Sequence, residues 1–248
     1  MSDTDTGATA AAADSPDLPV VVVLGAGIGG QAVAAALAHT ARLVVVDRDL
    51  EIAARAVVPV IEAGGEAEPV VVDLTDLAAV STFCGDLLDR FGRVDAVIHL
   101  VGGWQGSTTV DAAAIEQWRA LLPGIVGTVQ ATSVAFREAL TAAPHGRYVM
   151  ITSTSVATPS AGNAAYAAAK AAAEAWVRAL GAAFTGTPAA ACVVAVKALV
   201  DPATRAAHPE RKFPGYTDTP DLGAAVAALV TDPDLPTLVR IDLTQTEA

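Results

Sequence analysis

Three side chains are of types that can move a proton to or from an oxygen atom, or hold that oxygen. Tyr166 and Lys170 lie four residues apart in "NAAYAAAKAAAEAWV", a strongly helical stretch, so both project from one face. Ser153 lies 13 residues before the tyrosine, in "MITSTS". A phenol of ordinary pKa, about 10, shuttles protons poorly at neutral pH. An ammonium about 4 Å away contributes up to about 4 kcal/mol at an effective dielectric near 20, enough to lower that pKa by up to about three. Tyr166 is therefore expected to act as a general acid/base, with Lys170 depressing its pKa. The competing reading is a surface tyrosine and lysine on an Ala-rich helix.

The elements that must position these residues follow from hydrophobic patterning. Seven apolar runs read as buried strands: 18–25, 42–47, 68–73, 94–102, 146–153, 191–199 and 237–243. Helical stretches alternate with them at 28–39, 49–63, 76–91, 112–143, 162–185 and 220–231, and the fourth is expected to break near Pro123-Gly124. Regular alternation of strand and helix is the pattern of a parallel sheet covered on both faces. The expected fold class is thus α/β, a doubly wound sheet of seven parallel strands.

The first strand runs into "GAGIGG", residues 25–30. Gly25, Gly27 and Gly30 form G-x-G-x-x-G, while Gly25 and Gly29 form G-x-x-x-G, and the turn alone does not choose between the two. Either way, glycine permits positive φ and close backbone approach, and the following helix N-terminus offers N–H groups to a pyrophosphate. Gly25, Gly27, Ile28 and Gly30 are the expected contacts. Asp47 ends the second strand, where a carboxylate accepts hydrogen bonds from an adenosine ribose and repels a 2'-phosphate; NAD(H) is therefore favoured over NADP(H). Arg48 beside it is the residue that would pair with such a phosphate. Asp73, ending the third strand, and Leu74 after it are placed against the adenine, and Asp73 also belongs with Thr75 and Asp76 to the start of the next helix.

Composition narrows the class of partner. The formal charge is -12, from 27 acidic and 15 basic residues, which argues against nucleic acid or an anionic membrane surface as partner. A small-molecule substrate is expected. Cys84 and Cys192 supply neither a disulfide framework nor a metal-ligand cluster, and they fit a reducing cytoplasm. No metal site is expected, and His99, His145 and His208 receive no role; His39 reads as a helix terminus. Residues 1–17, acidic and small, read as a disordered tail before a single domain over 18–248. No apolar run is long enough to span a membrane.

Tyr-x-x-x-Lys with a serine 13 residues before it, behind a Gly-rich first turn and acidic ends on strands two and three, resembles the short-chain dehydrogenase/reductase superfamily across roughly 18–245. The resemblance implies a Rossmann-type fold with strand order 3-2-1-4-5-6-7 and an NAD(P)(H)-dependent oxidoreductase moving hydride between nicotinamide and a small carbonyl/alcohol pair. It also implies that Ser153 anchors the substrate oxygen, that Lys170 additionally holds the nicotinamide ribose, and that Tyr166, Val101, Gly102 and Leu199 border the cofactor. A homo-oligomer, dimer or tetramer, packed through the helices at 112–143 and 162–185 is part of the same expectation.

Several segments depart from the family pattern. The usual N-N-A-G after strand four is Leu100-Val101-Gly102-Gly103, the relay asparagine falls on Gly124, and the segment after strand six reads "VKALVD". The missing asparagine implies a relay through solvent or through a backbone carbonyl at the broken helix. "VGGWQGS" is similar to the corresponding segment of quinonoid dihydropteridine reductases, whose serine position is typically not serine. Trp104 within it either stacks on a planar substrate or lines the sheet edge. Reduction of a conjugated imine, and a nucleotide-binding sensor without catalysis, stand as the alternatives.

Overall fold

In the computed structural model, residues 18–244 are described. The tail expected over 1–17 lies outside them.

The central sheet is assembled from β1 (Val20–Leu24), β2 (Arg42–Asp47), β3 (Glu66–Val71), β4 (Ala96–His99), β5 (Arg147–Ser153), β6 (Ala190–Val196) and β9 (Leu238–Asp242). All are parallel, in the order β3-β2-β1-β4-β5-β6-β9. This is the expected doubly wound order, with β9 as the seventh strand. The four valines and leucine of β1 are buried on both faces, and β5 and β6 are buried along their whole length. Near-continuous β-branched runs of this kind form strands only when helices cover both sides.

Two cores result. On one face α1 (Ile28–Leu37), α2 (Leu50–Glu62) and α8 (Thr219–Thr231) bury Val33, Leu37, Val57, Val60, Leu222 and Val226 against the sheet. On the other, α3 (Leu77–Phe91), α4 (Ala112–Leu122), α5 (Thr128–Ala142) and α6 (Ala164–Ala183) bury Phe83, Leu87, Leu121, Phe136, Ala173 and Val177. Helix α6 is joined to the edge strand by Glu174, buried, whose Oε1 accepts from Arg178 at 2.7 Å and from Arg240 on β9 at 2.9 Å.

The expected break at Pro123 is a π-helical turn, Pro123–Gly127, where the Thr128 N–H reaches back five residues to the Pro123 carbonyl. A π turn absorbs one extra residue without ending the helix, so α4 and α5 run on as one bent rod. Three strands end two or more residues before their expected limits. β3 ends at Val71, leaving Asp73 in the following turn, and β4 ends at His99, leaving Val101 and Gly102 in the following loop. β6 ends at Val196, and its expected continuation forms a separate parallel ladder of β7 (Leu199–Val200) with β8 (Thr217–Asp218), flanking the short α7 (Pro202–Ala207).

Candidate active site

Ser153 is the last residue of β5, and its Oγ accepts from the Ser155 N–H at 3.2 Å and from the Ser155 Oγ at 2.8 Å. With its lone pairs engaged there, the Ser153 hydroxyl proton is left to donate. The half-buried Tyr166 phenol, in the first turn of α6, lines the same cleft as Ser153. A 3-10 turn, Ala161–Asn163, leads into that helix and is fixed by a capping box in which the Ser160 N–H donates to Asn163 Oδ1 at 2.7 Å. One turn further, Lys170 is buried and its Nζ donates to the Ile151 carbonyl of β5 at 3.0 Å. The structure therefore brings together the three residues that sequence spacing selects.

The electrostatics depart from expectation. Burial pushes the Tyr166 phenol above its ordinary pKa, and the neighbouring Ser153 hydroxyl only partly offsets this. Lys170 is not among the groups that perturb it. Burial lowers the pKa of Lys170 itself, from 10.5 to about 8. The expected depression of the tyrosine by the lysine is thus replaced by desolvation of both groups.

The Gly-rich turn adjoins this pair. Gly25 has φ +99°, and a Cβ there would meet the Val101 nitrogen at 3.1 Å; Gly102 faces Lys170, whose Nζ would lie 3.3 Å from a Cβ at that position. Gly30 tolerates no side chain, since a Cβ would lie 2.0 Å from the Gly25 carbonyl oxygen. Gly30 thus supplies the close helix approach, and Gln31 donates from its side chain to the Ala26 carbonyl at 3.2 Å. Gly27 faces open space at the N-terminus of α1, beside the exposed Ile28. The Asp47 carboxylate reaches this turn, with Oδ2 accepting from the Ala26 N–H at 2.9 Å, and Arg48 is exposed beside it. Asp73 is drawn into an Asx turn by Thr75, whose hydroxyl and N–H hold its carboxyl below the usual range. The N-cap of α3 is Asp76, and Leu74 points into the core. Leu199 sits on β7, its side chain against Gly29.

His99, given no role from sequence, is fully buried at the end of β4. The Thr128 hydroxyl donates to the Gly124 carbonyl at 2.9 Å and stands 3.0 Å from His99 Nε2. Since that hydroxyl spends its one proton on Gly124, Nε2–H must be the donor, which leaves Nδ1 bare and without a partner. Burial, and secondarily Lys170, lower its pKa to about 3, so the imidazole is neutral. A His99–Thr128–Gly124 chain thus runs to Gly124, where the family resemblance leads one to expect an asparagine. The substituted N-N-A-G segment is the signal that marks it.

Ser153, Ser155, Asn163 and Tyr166 open into a cleft of about 290 Å³, bordered by Trp104 and Lys197. Trp104 is 70% exposed, its ring folded over Gly106, on a loop tied to the start of α6 by the Ser107 N–H to Gly162 carbonyl bond of 2.8 Å. Lys197 escapes the sequence reading, although a charge interrupting an apolar strand run is a legible signal. Among the described residues no three His, Cys, Asp or Glu side chains gather as a metal site requires, and no helix is long and apolar enough to cross a membrane.

The chain is similar to several known proteins. A 3-oxoacyl-[acyl-carrier-protein] reductase of Synechocystis sp. is 33% identical over 155 residues, 61% of this chain; the match spans 62% of that relative's length. A metagenomic short-chain oxidoreductase solved with NADP superimposes with a TM-score of 0.73 at 27% identity, covering 92% of this chain and 98% of that one. A short-chain dehydrogenase/reductase of Burkholderia xenovorans gives 0.76 at 26% identity, over 91% and 94%. An NAD+-bound xylitol dehydrogenase gives 0.79 at 19% identity, over 93% and 99%, a likeness of fold. The family model for short chain dehydrogenases matches residues 19–208, and the chain belongs to that family of oxidoreductases.

Proposed function

We propose that the protein catalyses reversible hydride transfer between a nicotinamide dinucleotide and a small carbonyl/alcohol substrate bound in the cleft at Ser153 and Tyr166. The observation that carries this reading is the meeting of Ser153, at the carboxyl end of β5, and Tyr166 in one cleft, with Lys170 one helical turn away beneath Gly102. The Gly25–Gly30 turn fits a dinucleotide: Gly27 leaves room for a phosphate against the α1 N-terminus, and Asp47 lies within reach of a ribose bound over Ala26. Once bound, the nicotinamide would supply or accept the hydride.

The chain's own residues do the rest. The Ser153 hydroxyl donates to the substrate oxygen, Ser155 holds that hydroxyl in orientation, and Tyr166 passes the proton at the same oxygen. Lys170 steadies the ribose side of the site. The Gly124 carbonyl and Thr128, held by His99, support the path by which the proton is replaced. The negative charge of Asp47 favours NAD(H), with Arg48 retained as a partner for a 2'-phosphate. Residues 18–248 act as one domain, and the buried, unpaired Cys84 and Cys192 suit the cytoplasm. Exposed Ile115, Val134 and Trp176 on α4, α5 and α6 support a homodimer or tetramer.

The test is steady-state turnover of aldehydes, ketones, alcohols, quinonoid dihydropterin and cyclic imines with both cofactors. Carbonyl or alcohol turnover is expected, faster with NADH or NAD+. Turnover of the pterin or imine alone would move the assignment to that chemistry, and tight NADH binding without turnover of any compound would favour a sensor, the reading to which Gly124 and the raised Tyr166 pKa lend weight.

A further inference from the structure

Among the described residues, Lys197 is the one charged residue lining the cleft that holds Ser153 and Tyr166. It follows the last residue of β6, where the apolar run of the strand gives way to a cation facing the same opening as Trp104. Its position is built. The ammonium donates to the Pro214 carbonyl at 2.8 Å, and the backbone of Gly215 packs on its aliphatic stem, where a Cβ would meet Cδ at 3.2 Å. Gly215 has φ +72° and Phe213 φ +43°, the latter the single non-glycine residue of positive φ among those described. A left-handed phenylalanine is costly and persists only when its surroundings fix it. Here the ring is buried, with the guanidiniums of Arg205 and Arg211 over its faces. The turn at 213–216 is thus held in a strained form that presents a carbonyl to Lys197.

What the lysine lacks is a counter-charge. Among the described residues no carboxylate comes within ion-pair distance of Lys197, although the chain carries 27 acidic residues against 15 basic. The one carbonyl it donates to leaves two of its three N–H bonds for a ligand. In a chain of net charge -12, an unneutralised ammonium at the mouth of a reaction cleft is a local reversal of sign.

We propose that Lys197 is the specificity-determining residue of this cleft and that the substrate is a carbonyl or alcohol compound bearing an oxyanion, a carboxylate or a phosphate. The oxyanion pairs with the ammonium while the reacting oxygen lies between Ser153 and Tyr166. This rests on the oxidoreductase reading of the same cleft.

Matched substrates test it. Oxo acids are compared with their methyl esters, and phosphorylated hydroxyketones with the unphosphorylated compounds, by kcat/KM in the wild type, Lys197→Met and Lys197→Arg. The wild type should favour the anion of each pair at least about fivefold, the factor that an exposed ion pair of about 1 kcal/mol supplies. The loss in Lys197→Met should appear in KM for the anion, with the preference falling to about one, and Lys197→Arg should restore it. A preference confined to carboxylates or to phosphates identifies which oxyanion is used. Equal rates for anion and neutral partner, or a preference untouched by Lys197→Met, would overturn the assignment. Calorimetric binding of the same pairs to Tyr166→Phe, with and without Lys197→Met, separates the two ideas. Anion-selective binding lost with Lys197, where the wild type turns over none of the compounds, would sink the oxidoreductase reading and leave only the anion-pairing role of Lys197 standing.

Discussion

The backbone N–H of Ala26 donates to Oδ2 of Asp47 across 2.9 Å, so the acid ending β2 is locked onto the Gly-rich turn that follows β1. The carboxylate therefore has a fixed place beside the proposed adenosine ribose, as well as a charge. Replacing Asp47 with Asn keeps an acceptor for Ala26 and removes the charge. The ratio of kcat/KM for NADH over NADPH should fall by about tenfold, the effect of about 1.4 kcal/mol. An unchanged ratio would mean that cofactor choice lies elsewhere.

Two glycines of one turn should behave oppositely. A methyl at residue 30 collides with the Gly25 carbonyl, so Gly30→Ala forces the helix off the strand, at a cost of about 1–3 kcal/mol in unfolding free energy. At Gly27 nothing lies within 4 Å and φ is -65°, so Gly27→Ala should change stability by less than about 1 kcal/mol and yet weaken dinucleotide binding. Urea denaturation with cofactor titration distinguishes them. Equal destabilisation would contradict the packing described.

Lys170 should cost stability. A buried ammonium whose pKa falls from 10.5 unfolded to about 8 folded carries a penalty of roughly 3 kcal/mol, present in full below pH 8 and relieved as pH rises toward 10.5. Lys170→Met also gives up the bond to Ile151, about 1–1.5 kcal/mol. At pH 7 the variant should be more stable by about 1–2 kcal/mol and almost inactive, with the gain shrinking above pH 8. A variant less stable than the wild type at pH 7 would refute the desolvation argument.

Thr128→Val should remove the acceptor of the His99 N–H and the donor to Gly124 together. With two buried groups left unpaired, we expect a loss of about 1–3 kcal/mol in thermal or chemical unfolding. Loss of kcat beyond that of KM would place the chain His99–Thr128–Gly124 in proton replacement. Thr128→Ser should restore both.

Much of this is legible in the sequence because its signals are local. The valine runs of β1 and β2, the Tyr166–Lys170 spacing and the Pro123 break each depend on a few neighbouring residues. What stays hidden depends on contacts between distant segments. His99 looks inert because its partner Thr128 lies on another element, and the direction of the Tyr166 shift is decided by burial, which no spacing reveals. Asp73 leaves β3 through the local Asx turn with Thr75, which competes with strand continuation. Lys197 gains its meaning only when the end of β6 meets the turn at Pro214.

The most direct test of the central claim is the rate of carbonyl reduction by Tyr166→Phe, with NADH loss followed beside a separate measurement of NADH affinity. We predict a fall in kcat of about 10²–10⁴, the range that a positioned proton donor contributes, with the cofactor dissociation constant changed less than about threefold. A Tyr166→Phe variant that reduces the substrate within about tenfold of the wild-type rate, well short of that range, would contradict it.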